Sequence, residues 1–323
     1  MRVGFLGTGW IGRHRMAAMI ATGAIEPVAY ADPSHEMAGE AAQLAPGAKR
    51  VSGLDDLLAE QLDGIVIATP SALHAEQSVQ ALEAGVAVFC QKPLGRTATE
   101  VRAVVEAARK ADRLLGLDLS YRHTAAMQAI RPLVQSGELG RVSAVDLVFH
   151  NAYGPGKSWF FDPAQSGGGC VIDLGVHLVD LALWALDWPE ILDVQARLLA
   201  SGRPLGSGEC EDYAVATITT DDGRVISLAC SWNLPAGRDA LIGASFYGEG
   251  QGAAFRNLDG SFFDFAAEHY RGTGAEPLSG PPDDWGGRAA ANWAQRLAAG
   301  ERFCPDAERF VDVAAVLDRI YGR

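Results

Sequence analysis

A chain of 323 residues, with 48% hydrophobic and 21% charged side chains, exceeds the usual size of one domain and reads as two globular domains. Asp and Glu number 40 against 27 Lys and Arg, for a formal net charge of −13, which disfavours a phosphate-backbone partner, so no nucleic acid is expected. Five scattered cysteines without C-x-x-C spacing disfavour a disulfide framework or a zinc site and fit a reducing, cytoplasmic setting.

The opening, 3–11, reads as a strand and turn rather than a signal peptide, because it is broken by glycine and runs straight into Arg13-His14-Arg15. Up to about residue 120, apolar strands (3–6, 27–31, 64–68, 86–90, 113–119) alternate with Ala-rich helices (11–22, 36–44, 54–60, 73–84, 97–111). That rhythm predicts a doubly wound parallel α/β sheet of Rossmann type. Beyond Tyr121 come a helix (125–136), a strand (142–150), a Gly/Pro/aromatic loop (151–165) and a helix (170–186). From 191 to 265, β stretches separated by turns such as Asp221-Asp222-Gly223 predict a large, mainly antiparallel open sheet, with Trp232 and Phe246 facing a core or a subunit interface. Helices over 284–299 and 306–321 close the chain. The expected division is a dinucleotide-binding domain, 1–120, and an α+β substrate and oligomerisation domain, 121–323. No run of about 18 uncharged apolar residues is expected to span a membrane.

Gly7-Thr8-Gly9-Trp10-Ile11-Gly12 is a G-x-G-x-x-G that follows a strand and opens a helix. Its glycines allow a tight turn, and the helix N-terminus offers unsatisfied N–H groups to a pyrophosphate. Asp32 ends the second strand, where a carboxylate accepts hydrogen bonds from the adenosine ribose. It would repel a 2′-phosphate, so NAD is favoured, with NADP left open by a mobile arginine such as Arg13. Lys92 follows the strand 86–90 and so emerges at the carboxyl edge of the sheet, where such folds place their ligand crevice. Asp173 and His177 stand four apart on a predicted helix, hence on one face, a spacing suited to a carboxylate-tuned general base. Asp180 shares that face, but the three residues lack the further ligands of a metal cluster, and no metal is expected.

Further segments carry a family resemblance: Ala68-Thr69-Pro70-Ser71 with His74, Gln91-Lys92-Pro93-Leu94, Ser136-Gly137-Glu138-Leu139-Gly140-Arg141, Gly167 through Asp180, and Tyr247-Gly248-Glu249-Gly250. Together with the glycine fingerprint, they make the chain resemble the glucose-fructose oxidoreductase and inositol dehydrogenase (Gfo/Idh/MocA) family. The resemblance implies an NAD(P)-dependent dehydrogenase acting on a CH–OH group of a sugar or polyol. It implies Lys92, Asp173 and His177 as the catalytic group, and a cofactor contact from the Thr69-Pro70 turn with His74 and from Gln91 and Lys92. It also implies a cis peptide before Pro93 and a homodimer or homotetramer. Tyr121 and Arg122 either contact substrate or hold the domains together, and Trp159 in the aromatic loop is a candidate substrate wall. One departure is Gln91, where the family has Glu; the amide removes a charge beside Lys92. Two other readings stay open: a glycosidase working by transient oxidation and elimination with tightly held NAD, and a non-catalytic dinucleotide-sensing regulator.

Overall fold

The computed structural model describes residues 1–323, which divide into two compact units, Met1–Asp118 with Gly287–Asp312 and Leu119–Gly286 with Val313–Arg323. The first unit runs β1 (Arg2–Leu6), α1 (Trp10–Ala21), β2 (Glu26–Ala31), α2 (His35–Leu44), β3 (Lys49–Arg50), α3 (Leu54–Leu58), β4 (Gly64–Ile67), α4 (Ser71–Glu83), β5 (Ala87–Cys90), α5 (Ala98–Ala111) and β6 (Leu115–Leu117). Every residue of β4 and β5 is buried, as expected where helices cover both faces of a parallel sheet. The strand order is β3-β2-β1-β4-β5-β6. Successive connections from β1 run in opposite directions, to β2 on one side and β4 on the other, and the gap between those strands' carboxyl ends is the place such sheets reserve for a ligand. β3 was not expected, for it consists of two exposed charged residues with no apolar signal.

The second unit contains α6 (Ala125–Gln135), β7 (Ala144–Asn151), α7 (Pro163–Ser166), a π turn over Val171–Gly175, and α8 (Val176–Ala185). Strands β8 (Ile191–Ala200), β9 (Arg203–Pro204), β10 (Tyr213–Thr220), β11 (Val225–Ser231), β12 (Ala240–Tyr247), β13 (Gln251–Asn257), β14 (Phe265–Arg271) and β15 (Gly274–Ser279) follow. They form a nine-stranded sheet in the order β15-β14-β13-β12-β7-β11-β10-β8-β9, antiparallel except where β7 meets β11. β15 lies beyond the expected end of the β region, and its Pro277 suits the sheet edge it occupies. In β10 and β11, Ala214, Ala216, Ile218, Ile226, Leu228 and Cys230 are buried while Val215, Thr217, Val225 and Ser227 are exposed. One face therefore carries the core under α6 and α8, and the other is open.

One stretch, Pro163–Ala185, is by length and composition apolar enough to cross a membrane; it carries Asp173 and Asp180, so it is not an uncharged run, and it is largely buried in the fold. Its core is α8, buried on all sides from Val176 to Leu183, as befits a central helix. Two helices end the chain, α9 (Arg288–Ala298) and α10 (Arg309–Tyr321). α9 returns to the first unit, where Trp293 joins Phe5, Met16, Met19 and Phe89 in one core. A Cβ at Gly64 or Gly116 would stand 2.6 Å from the Trp293 ring, so both positions need glycine for the helix to seat.

Candidate active site

The glycine fingerprint folds as its sequence predicts. Gly7 has φ +87°, and a Cβ there would lie 2.5 Å from the carbonyl oxygen of Ala68. α1 starts after Gly9 with no side-chain cap, leaving its first N–H groups for an anion. Trp10 stands 62% exposed at this helix start and Ile11 is half-buried. Asp32 is fixed at the end of β2, accepting from the backbone N–H of Thr8 (2.7 Å) and of Ser34 (2.8 Å). This cradle, with a bare helix start for a pyrophosphate and a carboxylate for a ribose, fits a dinucleotide. Arg13 is engaged rather than mobile: it donates to the Thr8 carbonyl at 2.6 Å and pairs with Glu40. Arg50, unforeseen because β3 was, donates to the Asp32 carbonyl at 3.2 Å and stands 2.9 Å from His35 Nδ1.

The turns after β4 and β5 come together. Thr69 donates its hydroxyl to Gln77 Oε1 at 2.6 Å, and Pro70 precedes the first residue of α4. His74 is buried, with Nδ1 2.7 Å from the Pro93 carbonyl and Nε2 2.7 Å from the Thr69 carbonyl. It thereby ties the Thr-Pro turn to the Lys92-Pro93 turn. Burial pushes its imidazole pKa down, and the two carbonyls offset part of that shift. Lys92 is half-buried at the end of β5, and the Lys92–Pro93 peptide is cis, as the resemblance implies. The buried Gln91 amide donates to the Asp118 carboxylate, and the same Asp118 oxygen accepts from Arg15 Nε at 2.6 Å. Gln91 therefore serves a buried carboxylate, a role its position in the motif does not announce.

In the second unit, three glycines lead into Asp173. A Cβ at Gly169 would collide with the backbone of Glu211. The Glu211 carboxylate, fully buried, accepts from the N–H of Gly169 (2.9 Å) and of Val171 (2.8 Å) and from the Tyr321 hydroxyl (2.7 Å). Burial raises its pKa and these donors oppose the rise. Tyr321 Oη also accepts from the N–H of Ile172 at 3.2 Å. The segment so anchored is a π turn rather than the regular helix expected, a local widening often found at functional sites. Asp173 lies in it and His177 one turn further on, at the start of α8.

Trp232 donates its indole N–H to Asp173 Oδ2 at 3.1 Å. The buried Tyr121 sets its ring edge-on to His177, with centroids 4.8 Å apart; burial first, then the Asp173 charge, pushes its hydroxyl pKa well up, so it remains a donor. Arg122 is drawn to Asp180 through two hydrogen bonds and lies over the rings of Trp184 and Trp188. Burial raises the Asp180 pKa against the pull of Arg122. Trp159 stacks on Phe160 at 3.8 Å, and Phe160 meets Trp232 edge-on at 6.5 Å. The aromatic turn thus connects to Asp173 through Trp232. Sequence reading missed Glu211, Tyr321 and the Trp232 contact. The signal for the first was Gly167-Gly168-Gly169, a run that lets another chain segment approach closely.

Comparison with known proteins matches residues 1–119 to the oxidoreductase family's NAD-binding Rossmann fold and residues 127–252 to the GFO/IDH/MocA C-terminal domain. The chain is 28% identical to D-glucoside 3-dehydrogenase of Escherichia coli K12, over 78% of this chain and 76% of that protein. It is 31% identical to 1,5-anhydro-D-fructose reductase of Ensifer adhaerens, over 69% and 67% respectively. Its fold is similar to that of levoglucosan dehydrogenase in complex with NADH and levoglucosan (TM-score 0.83, 23% identity, 100% of this chain and 96% of that one). It is also similar to that of a 3-ketoreductase from Actinomadura kijaniata in complex with NADP and TDP-benzene (0.84, 21%, 100% and 97%). With its two halves matched in order and its fingerprint cradle intact, the chain belongs to the GFO/IDH/MocA family of NAD(P)-binding oxidoreductases.

Proposed function

We propose that the chain interconverts a secondary hydroxyl and a ketone on a sugar or polyol, with His177 as general base, Lys92 as oxyanion stabiliser and Asp173 as orienter of the base. The observation that carries this reading is the spacing of Asp173 and His177, with Asp173 in a π turn that Glu211 and Tyr321 anchor and His177 one turn further on, at the start of α8. Relatives named as glucoside dehydrogenase and anhydrofructose reductase support the substrate class. His177 takes the hydroxyl proton, a role an imidazole nitrogen is built to fill. The Lys92 ammonium balances charge developing on the oxygen, and Asp173 fixes the ring that receives the proton. The bound dinucleotide supplies the redox chemistry at the carbinol carbon.

NAD is the preferred cofactor on this reading, because the Asp32 carboxylate sits at the end of β2 beside the glycine turn, where it would repel a 2′-phosphate, although Arg50 brings a cation to the same place. The open face of the nine-stranded sheet, with Val215 and Val225 exposed, serves as the contact between copies of a homo-oligomer.

A panel of aldoses, glycosides, inositols and sugar acids, each with NAD and with NADP, tests the assignment through absorbance of the reduced cofactor. One of these substrates should reduce NAD faster than NADP, and Lys92→Met and His177→Ala should each lower kcat by a factor of about 100 or more with cofactor affinity retained. Full activity in either variant would refute its role.

A further inference from the structure

We propose that Trp232 is a positioning residue for Asp173: its indole N–H sets the orientation of the carboxylate and couples it to the aromatic turn Ser158–Phe161, against which the substrate ring lies. The inference rests on the reading of Asp173 and His177 as a working pair. The indole is 3% exposed and is placed just after β11 by its own backbone N–H, which donates to the Asp212 carbonyl at 2.8 Å. A buried tryptophan usually finds a partner for its N–H, commonly a backbone carbonyl, although the buried Trp293 Nε1 of this chain has none. Trp285 does this, donating to the Phe263 carbonyl at 2.8 Å. Trp232 is aimed instead at the candidate carboxylate, and such charge-assisted bonds are the stronger and more directional kind.

The rest of the same indole holds the aromatic turn. Phe161 meets it at 5.6 Å and 65°, and Phe160 at 6.5 Å and 85°, with Trp159 stacked on Phe160. Phe161 is 50% exposed and Trp159 half-buried, so this turn presents aromatic faces of the kind that suit the C–H face of a pyranose or cyclitol. One rigid ring therefore joins the surface that would feel the substrate to the carboxylate that orients the base. Because Asp173 sits in a π turn rather than a regular helix, a side-chain donor is a direct way to hold its rotamer.

The test uses the full chain with NAD and the pyranoside or cyclitol that the wild type oxidises fastest. Trp232→Phe keeps the ring and deletes the N–H. It should lower kcat about tenfold or more, the usual worth of a hydrogen bond to a charged group, with KM and NAD affinity within about threefold. In an Asp173→Asn background it should cause no further loss, since coupled residues are non-additive. Independently of turnover, the chain has seven tryptophans, and the indole 1H–15N resonance that W232F removes should shift in D173N. Multiplicative losses in the double variant, a kcat within twofold of wild type in W232F, or an unmoved indole resonance would each overturn the proposal. If W232F does not fold, Phe161→Ala reads the same link from the exposed side and should raise KM and lower kcat; unchanged constants count against it. A D173N variant as active as wild type refutes the parent reading of the pair instead, which separates the two failures.

Discussion

Replacing Gln91 by glutamate restores the residue the family pattern has at this position, yet the structure indicates that it destabilises this particular chain. The Gln91 amide donates to Asp118, a carboxylate 1% exposed that also binds Arg15. A new carboxylate at 91 loses the donated hydrogen bond and brings two negative groups into contact. At about 3 Å and an effective dielectric of about 20, their repulsion is about 5 kcal/mol. Protonating the newcomer at pH 7 costs roughly 1.36 × 2.7, or ~3.7 kcal/mol, from an ordinary glutamate pKa of about 4.3. Proton uptake is the lower route, because it also restores a donor toward Asp118, and Arg15 is already engaged. The folded-state pKa of the new group is thus raised, so its contribution is least harmful below the unfolded value and worsens as pH rises toward the folded one. Gln91→Glu should lose about 3 to 4 kcal/mol at pH 7 but only about 1 kcal/mol at pH 5. Guanidinium unfolding followed by circular dichroism at both pH values measures this. An equal deficit at the two values, or none at pH 7, would show that the Asp118 contact does not govern the choice of residue.

Burial holds the His74 imidazole neutral by lowering its pKa, so its share of stability is complete above the unfolded value of about 6.5 and is lost as pH falls through the folded one. His74→Gln should therefore start less stable at pH 7.5, by about 1 kcal/mol for the one carbonyl hydrogen bond that a neutral imidazole can donate, yet lose less Tm than wild type between pH 7.5 and 5.5. An unchanged Tm difference would show that the fold does not lower the His74 pKa. For the open sheet, sedimentation at micromolar concentration should give a dimer or tetramer, and Val215→Asp should shift the mass toward monomer; a wild type already monomeric removes the proposed contact.

The parallel half was legible because its signals are local. A continuous apolar run, a glycine turn and an acidic strand end lie within the first 32 residues, and β1, α1 and β2 follow them closely. Lys92, Asp173 and His177 were read from strand-end position, spacing and family likeness. What escaped depends on partners far apart in sequence. Asp118 reaches Gln91 through the pairing of β5 with β6, Glu211 reaches the glycine turn across 42 residues, and Trp232 reaches Asp173 across 59. No periodicity marks such contacts. The π turn over Val171–Gly175 escaped because its apolar run reads equally well as a plain helix. β3 and β15 escaped because short, polar or proline-bearing edge strands carry little pattern. Likewise the amphipathic face of α9 announces that it will be buried, but not in which unit.

That last helix bears on how the chain can be made and cut. During synthesis the six-stranded sheet emerges long before α9, so Gly64 and Gly116 stand bare until the whole antiparallel half has left the ribosome. The Rossmann half cannot finish its core co-translationally on its own strands alone. Excising it at residue 118 strips away Trp293, and grafting it into another protein requires carrying the distant 287–312 segment along with it.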